Sequence, residues 1–503
     1  MIQPHRNARL LASCLALIVV GCSTAVTRTT IPDRPEKLTY PPLVYHPPAP
    51  ADYRVPLAAG PVAYLVPDRS RPLITVQVLV RAPAYAVPAG KEPLNSLLAD
   101  LLTQGGTQSQ TAEQLEERLE FLAAELAVHA SSTEMSARLN ILTKDFDQGL
   151  AILRQILTTP RFQEDRLALL KQQELQSMRE RNDASASIEQ RERGFLAFGE
   201  PFFTNRHATA ASLESVTRDD LVAFHRQFFH PANMVLAVSG DFERAEMISK
   251  LDAFLKDWPI TGKTAPPCPT NATFAAPGVY LVNKPEVNQG RVGVLLPGIR
   301  RDNPDYYAVT VMNDILGGGG FTSRIMKRVR SDEGLAYSAG SYFPAGAYYP
   351  LFFAAGFQTK ARTVAFATSI VLTEMKRIAA EPVSDQELHT SKRSFIDVFP
   401  NNFVTADQIA ATFANDEFTG RYASDPDYWK NYRPKIDALT KTDIQRVAGQ
   451  YLTPDKVVIL VVGPREEILK GHPDHPVTLQ SLSTGSLKDL PLRDPLTMKP
   501  MTR

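Results

Sequence analysis

Hydrophobic positions along the chain fall into two rhythms. Short apolar runs, among them Ile74 to Val80, Arg291 to Leu296 and the stretch that closes on Gly240, predict strands. Between them lie longer segments with the spacing of amphipathic helices. One block occurs twice. Leu213 to Gly240 reads as an N-capped helix, a proline turn and an apolar strand, and Ile436 to Gly463 reads the same way at a constant offset of 223. Thr217 matches Thr440, Gln227 matches Gln450, Pro231 matches Pro454 and Gly240 matches Gly463. The front parts repeat more loosely, with Leu101 to Gly106 set against Ile315 to Gly320 at an offset of 214. Each half therefore runs strand, helix, Gly-rich turn, further helices and strands, long helices, and a closing helix and strand. That order predicts an α+β fold of two homologous halves, residues 55–260 and 278–465, joined by a proline-rich linker at 261–277. The polar, Pro-rich tail 466–503 is expected to be less ordered.

Composition narrows this further. At 44% hydrophobic and 22% charged the chain is globular, and its net charge of +1 gives no electrostatic pointer to nucleic acid. Residues 1–22 carry Arg6 and Arg9, then the apolar run Leu10 to Val20, then Gly21-Cys22, the layout of a signal peptide. The run is too short to span a bilayer, which takes about 20 residues. Val19-Val20-Gly21-Cys22-Ser23 resembles a bacterial lipobox, which implies lipidation at Cys22. The alternative is an ordinary signal peptide with an incidental cysteine. No aspartate follows Cys22, which favours the outer membrane, facing the periplasm. Residues 23–54, rich in Pro and Thr, read as a tether. Besides Cys22 there are only Cys14, inside the signal, and Cys268, so neither a disulfide framework nor a cysteine metal site can form.

The most unusual local feature is Leu316-Gly317-Gly318-Gly319-Gly320-Phe321-Thr322-Ser323-Arg324, leading to Gly334-Leu335-Ala336-Tyr337-Ser338. A phosphate loop needs Lys-Ser/Thr directly after its last glycine. Phe321-Thr322-Ser323 stands there instead, and the first lysine is Lys327. A plain linker that runs at once into a strongly patterned helix would be unusual, and that reading stays open beside a functional one. Arg324, Lys327 and Arg328 read as a solvated helix face.

The duplicated halves and these two motifs resemble the pitrilysin/insulinase family of zinc peptidases, in particular the mitochondrial processing peptidase and its bacterial relatives. The resemblance covers about residues 55–465. It implies that each half is an antiparallel sheet packed by helices, and that two such pairs enclose an extended peptide in a clam-like chamber. The family's catalytic motif, His-x-x-Glu-His on the first helix, holds zinc with two histidines one helical turn apart and carries the base between them. Alignment on Gly105 puts those positions on Ser96, Ala99 and Asp100, and alignment on Gly106 puts them on Leu97, Asp100 and Leu101. The distant glutamate ligand falls on Gln176 and Ser177, with Glu174 the nearest acid. His472 and His475 stand in the tail without a third partner. Ser96, Asp100 and Glu174 either hold a hard cation or are the polar face left by a decayed site. This reading places no metal in the chain and expects zinc in a partner subunit.

The same resemblance assigns Arg330 and Tyr337, in the family's Arg-to-Tyr spacing, as donors lent to a catalytic site on another chain. A guanidinium and a phenol both suit a substrate carbonyl or the charge of a tetrahedral intermediate. Gly317, Gly318, Gly319, Gly320 and Phe321 become the substrate-contacting stretch. Three functional readings remain open: a non-catalytic substrate-binding subunit paired with a His-x-x-Glu-His homologue or with a second copy, a pseudo-peptidase scaffold, and an active peptidase with an unorthodox site.

Overall fold

The computed structural model describes residues 32–34, 37–39, 44–260 and 262–501. The expected signal peptide and Cys22 lie outside the described residues. Residues up to Val44 form one unit, whose described part carries an exposed Lys37–Asp33 ion pair, and Tyr45–Arg503 form the other. All that follows concerns the second unit.

Its frame is two six-stranded sheets. The first contains β1 (Arg54–Pro56), β2 (Val62–Pro67), β3 (Leu73–Val80), β4 (Glu125–Ala130), β5 (Met135–Leu142) and β6 (Met234–Gly240), in the order β1-β2-β6-β3-β5-β4. The second contains β7 (Gly278–Asn283), β8 (Gln289–Pro297), β10 (Ala339–Tyr342), β12 (Phe352–Lys360), β13 (Val458–Gly463) and β14 (Leu487–Leu490), in the order β10-β12-β8-β13-β7-β14. The short strands β9 (Ile299–Arg300) and β11 (Ala345–Gly346) pair with each other. Laid over one another, the two orders match strand for strand, β2 with β7, β6 with β13, β3 with β8, β5 with β12 and β4 with β10. The repeat seen in the sequence is thus a repeat of topology.

The sheets are mixed rather than purely antiparallel. β2 pairs parallel with β6, and β13 parallel with β7. The cause is the long excursion between these strands: the chain leaves β2, builds the rest of the half, and returns beside it along the same direction. The closing helices form as expected. Arg218–Phe228 and Lys441–Tyr451 both start in capping boxes, on Thr217 with Asp220 and on Thr440 with Asp443.

The central strands β6 and β13 are buried along nearly their whole length, which requires cover on both faces. One face of each sheet packs on helices of its own half. The other face is covered by a helix from the opposite half. Ser185–Phe198, in the first half, sets Ile188 and Leu196 against Tyr280, Leu295, Val458 and Leu460 of the second sheet. Ala406–Phe418, in the second half, sets Ala410, Phe413 and Phe418 against Tyr64, Val66, Leu79 and Val235 of the first sheet. The exchange is pinned by polar bonds. Arg54 makes two hydrogen bonds to Glu417, at 2.9 and 3.0 Å, Tyr64 donates to the same carboxylate at 2.9 Å, and Arg138 pairs with Asp407 at 3.0 Å.

The end of the expected tether, from Tyr45, and the tail are both built into the second unit. The tether ends earlier than expected: the Tyr45 ring packs edge-on against Phe399 at 6.2 Å, its carbonyl accepts from Arg433, and Arg54 already belongs to β1. The tail, expected to be less ordered, adds β14 in parallel to β7 and then crosses to the first half. There Asn182 donates to the Arg493 carbonyl at 2.8 Å, and the Ala210 amide to the Leu496 carbonyl at 2.8 Å. Its prolines do not prevent this, because none falls within Leu487–Leu490.

The exchanged helices carry a measurable share of the stability. Phe413→Ala, at a fully buried position, is expected to cost about 3–5 kcal/mol, and Ile188→Ala on the other exchanged helix about 2–5 kcal/mol. Urea unfolding checks both, and a change below about 1 kcal/mol at either site contradicts the described packing.

Candidate functional site

The glycine run is not a free loop. The helix Tyr306–Asn313 passes directly into a wider π-turn over Asp314–Gly318, and a second π-turn spans Lys327–Asp332. Such turns cluster at functional sites because the extra residue redirects side chains. The glycines are needed for close packing. A Cβ on Gly317 would sit 2.5 Å from the Ser341 amide nitrogen of β10, and one on Gly318 would sit 2.8 Å from the Asn313 side-chain nitrogen. Gly320 is different: it has open space around it but a φ of +59°. Asn313 ties the run to the sheet, since Ser341 donates to its Oδ1 at 2.7 Å and it donates back to the Ser341 carbonyl at 3.4 Å.

Beyond the run, Ile325 and Val329 are fully buried and anchor the segment that carries Arg330. Gly334, at φ +62°, lets the chain turn back, with the Leu335 amide donating to the Val329 carbonyl at 2.9 Å. Thr359 of β12 then donates to the Leu335 carbonyl at 2.7 Å. These bonds bring the predicted residues together. The Arg330 guanidinium carbon lies 4.7 Å from the Phe321 ring centre and 4.5 Å from the Tyr337 ring centre. Both rings face solvent, Phe321 at 67% and Tyr337 at 84% exposure, and Tyr342 on β10 is 66% exposed. Among the described residues no carboxylate pairs with Arg330. Stacking on each ring contributes about 0.5–1 kcal/mol at an exposed site, enough to orient a side chain that would otherwise be free. An unpaired cation held by two exposed rings can bind a carbonyl or carboxylate supplied from outside.

Arg324 is not the solvated residue expected. Its side chain is 10% exposed and grips Glu387 with two hydrogen bonds of 2.6 and 3.0 Å. Burial opposes ionisation of Glu387, but hydrogen bonds from Arg324 and from the Ser384 amide and hydroxyl outweigh it and hold the carboxyl at about 2. This clamp and the Asn313–Ser341 pair were missed from the sequence. Neither residue pair is close along the chain, and only the fold brings them together.

On the first half, the helix Leu94–Gln104 carries the three positions aligned with the metal motif. Ala99 is buried and has no donor atom, and the Ser96 hydroxyl is bonded to the Pro93 carbonyl at 3.0 Å. Asp100 is pushed up by burial and lowered by His129; Glu174 is pushed up by burial, lowered by Arg181 and raised by Asp100. The Arg181 guanidinium, 3.6 Å from Glu174, already supplies that carboxylate with a counter-charge. Among the described residues no three His, Cys, Asp or Glu side chains are arranged to hold a metal. A position set of Ser, Ala and Asp does not fit zinc, which binds imidazole, thiolate and carboxylate in a tetrahedral set.

Part of the chain matches a described family. Residues 215–395 match the family described as Peptidase M16 inactive domain. The chain is 30% identical over 155 residues to an uncharacterised zinc protease of Streptomyces coelicolor, covering 30% of this chain and 32% of that protein. It is 26% identical over 307 residues to the Non-peptidase homolog YmxG of Helicobacter pylori, covering 60% and 68%. It is 21% identical over 379 residues to a probable mitochondrial-processing peptidase subunit beta of Arabidopsis thaliana, covering 72% and 69%. The alignment therefore spans about a third of the Streptomyces protein and about two thirds of the other two. Among solved structures, the peptidase M16 inactive domain of Pseudomonas fluorescens superposes with a TM-score of 0.73 at 22% identity, covering 82% of this chain and 97% of that one. A Helicobacter pylori protease superposes with a TM-score of 0.69 at 17% identity, covering 81% and 98%. The architecture is that of the duplicated M16 peptidase fold. Over these stretches the chain is similar to the pitrilysin/insulinase, or M16, peptidases, and its sequence holds no His-x-x-Glu-His motif.

Two measurements test the geometry of the site. Gly317→Ala is expected to destabilise more than Gly320→Ala, which should cost about 1 kcal/mol through its left-handed backbone alone. Chemical denaturation ranks the two, and the reverse order contradicts the packing of the run on β10. The Glu387 carboxyl titrates at about 2 when folded against 4.5 ordinarily, so its stabilisation is complete above pH 4.5 and is lost as the pH falls toward 2. Glu387→Gln should flatten that part of the stability–pH profile, as followed by thermal melts.

Proposed function

We propose that this chain is the non-catalytic, substrate-binding subunit of a zinc peptidase whose metal is held by a His-x-x-Glu-His-bearing homologue. One observation carries the reading: the metal positions have lost their donors, while Arg330 is held unpaired and outward between Phe321 and Tyr337. A decayed surface has no reason to keep a cation stacked on two solvent-exposed rings. An arginine presented to a second active site does. There Arg330 and Tyr337 donate hydrogen bonds to the substrate carbonyl and to the oxyanion that forms from it, and Gly320 and Phe321 line the approach. The name of the Helicobacter relative, a non-peptidase homologue, supports a chain without its own peptidase activity. The Arabidopsis relative, named as a subunit of a processing peptidase, supports work within a pair. The signal peptide, the lipid at Cys22 and a periplasm-facing anchor in the outer membrane belong to the same proposal and rest on residues 1–22.

Mixing the purified chain with a His-x-x-Glu-His homologue from the same organism tests the pairing. Peptidase activity should appear only in the mixture, and Arg330→Ala should lower kcat about 10²-fold or more, the scale seen when an oxyanion donor is removed. Full activity of the Arg330→Ala mixture overturns the role of Arg330, and no activity in any mixture favours a pseudo-peptidase scaffold. Cys22→Ala should move the chain from the membrane to the soluble fraction on cell fractionation.

A further inference from the structure

A cavity of about 400 Å³, whose lining does not include Arg330, is walled by both halves and the tail. Three guanidiniums line it, those of Arg181, Arg191 and Arg193, and no carboxylate does. Each arginine is paired with a glutamate that is not part of the wall: Arg181 with Glu174 at 3.6 Å, Arg191 with Glu192 at 3.2 Å, Arg193 with Glu189 at 3.4 Å. Arg191 is itself 7% exposed. Two further lining residues present buried atoms with no hydrogen-bond partner, the Thr204 hydroxyl and the His207 Nε2. His207 is held down at about 4, by burial first and then by Arg181, Arg191 and Arg493, so its ring is neutral near pH 7. A buried hydroxyl without a partner beside three guanidiniums is the complement of an anion.

The remaining wall is apolar. Phe198 comes from the exchanged helix, Phe352 from β12 of the opposite half and Met498 from the tail. Met498 is one of four non-glycine residues at positive φ among those described, a conformation that persists only where surrounding structure enforces it. Inorganic phosphate would satisfy the cationic side and leave the apolar side unfilled. The volume lies near the lower end of small-ligand cavities, which run from roughly 300 to 1,000 Å³.

We infer that this cavity binds an organic carboxylate with an apolar body, of the kind presented by the C-terminal residue of a peptide, with the carboxylate on Arg193 and Arg181 and the side chain against Phe198 and Phe352. Capture of a terminal carboxylate is a recurring mode of peptide recognition. The inference stands apart from the proposed pairing, because it involves neither Arg330 nor a partner chain.

Calorimetric titration of the full chain with N-acetyl-phenylalanine, its carboxamide and inorganic phosphate tests it. The acid should bind saturably, and the amide and phosphate should each bind at least about tenfold more weakly, the loss expected when a charge-assisted bond or an apolar contact is missing. Arg193→Gln and Thr204→Val, both checked for native circular dichroism, should weaken the acid about tenfold and remove the shift of the His207 ring signals on binding. Equal binding of acid and amide, equal binding of acid and phosphate, or no saturation by about 10 mM acid overturns the inference. So does unchanged affinity in both variants.

Discussion

A strand that is apolar on both sides cannot stop at one layer of helices. β6 and β13 are such strands, and each half supplies only enough helix to cover one face of its sheet. The deficit is met by trading: the Ser185–Phe198 helix covers the far sheet and the Ala406–Phe418 helix covers the near one. Burial of these faces is worth about 25 cal/mol per Å² of apolar surface and is the term on which the joint of the two halves rests. The more exposed Arg138–Asp407 pair adds register more than energy, since surface ion pairs contribute little, while the Arg54–Glu417–Tyr64 bonds are partly buried. With the halves locked in this way, β10, the glycine run and the Arg330 segment sit on a rigid support.

That support explains why a stretch with four glycines can be ordered. Gly317 and Gly318 lie against Ser341 and Asn313 with no room for a side chain, so these glycines serve packing first. The consequence for chemistry is indirect. Close contact of the π-turn with β10 brings Phe321 beside Arg330, and the turn at Gly334 brings Tyr337 to it from the opposite direction along the chain. The cation is therefore aimed by backbone geometry and held by rings, without the carboxylate partner that would quench it. Inward of it, the clamp between Arg324 and Glu387 holds the segment.

Much of this was legible in the sequence, and what was not has a physical reason. The repeat was visible because the capping threonines Thr217 and Thr440, the prolines Pro231 and Pro454 and the closing glycines act locally, within one turn or strand end. The lost metal positions were visible because a ligand set has fixed spacing on a helix. Phe321, Arg330 and Tyr337 were chosen from a motif, and the structure brings all three together. Long-range pairing was out of reach. Nothing in the residues around Arg324 indicates that Glu387 will neutralise it, so it read as solvated. The parallel strand pairs and the fate of the tail were misread for the same reason: Leu487 to Leu490 has the composition of a loop and becomes a strand only because β7 offers it an unpaired edge. Helix exchange leaves no local trace at all, except that the central strands are too apolar to be covered on one side.

The outermost strand beside β2 comes from the start of the unit and the one beside β7 from its end. Between them the halves have traded a helix each. The duplicated halves have in this way become a single folding unit, whose second sheet a newly made chain cannot complete before Leu487–Leu490 has left the ribosome. Cutting at the linker would leave each sheet with one apolar face uncovered.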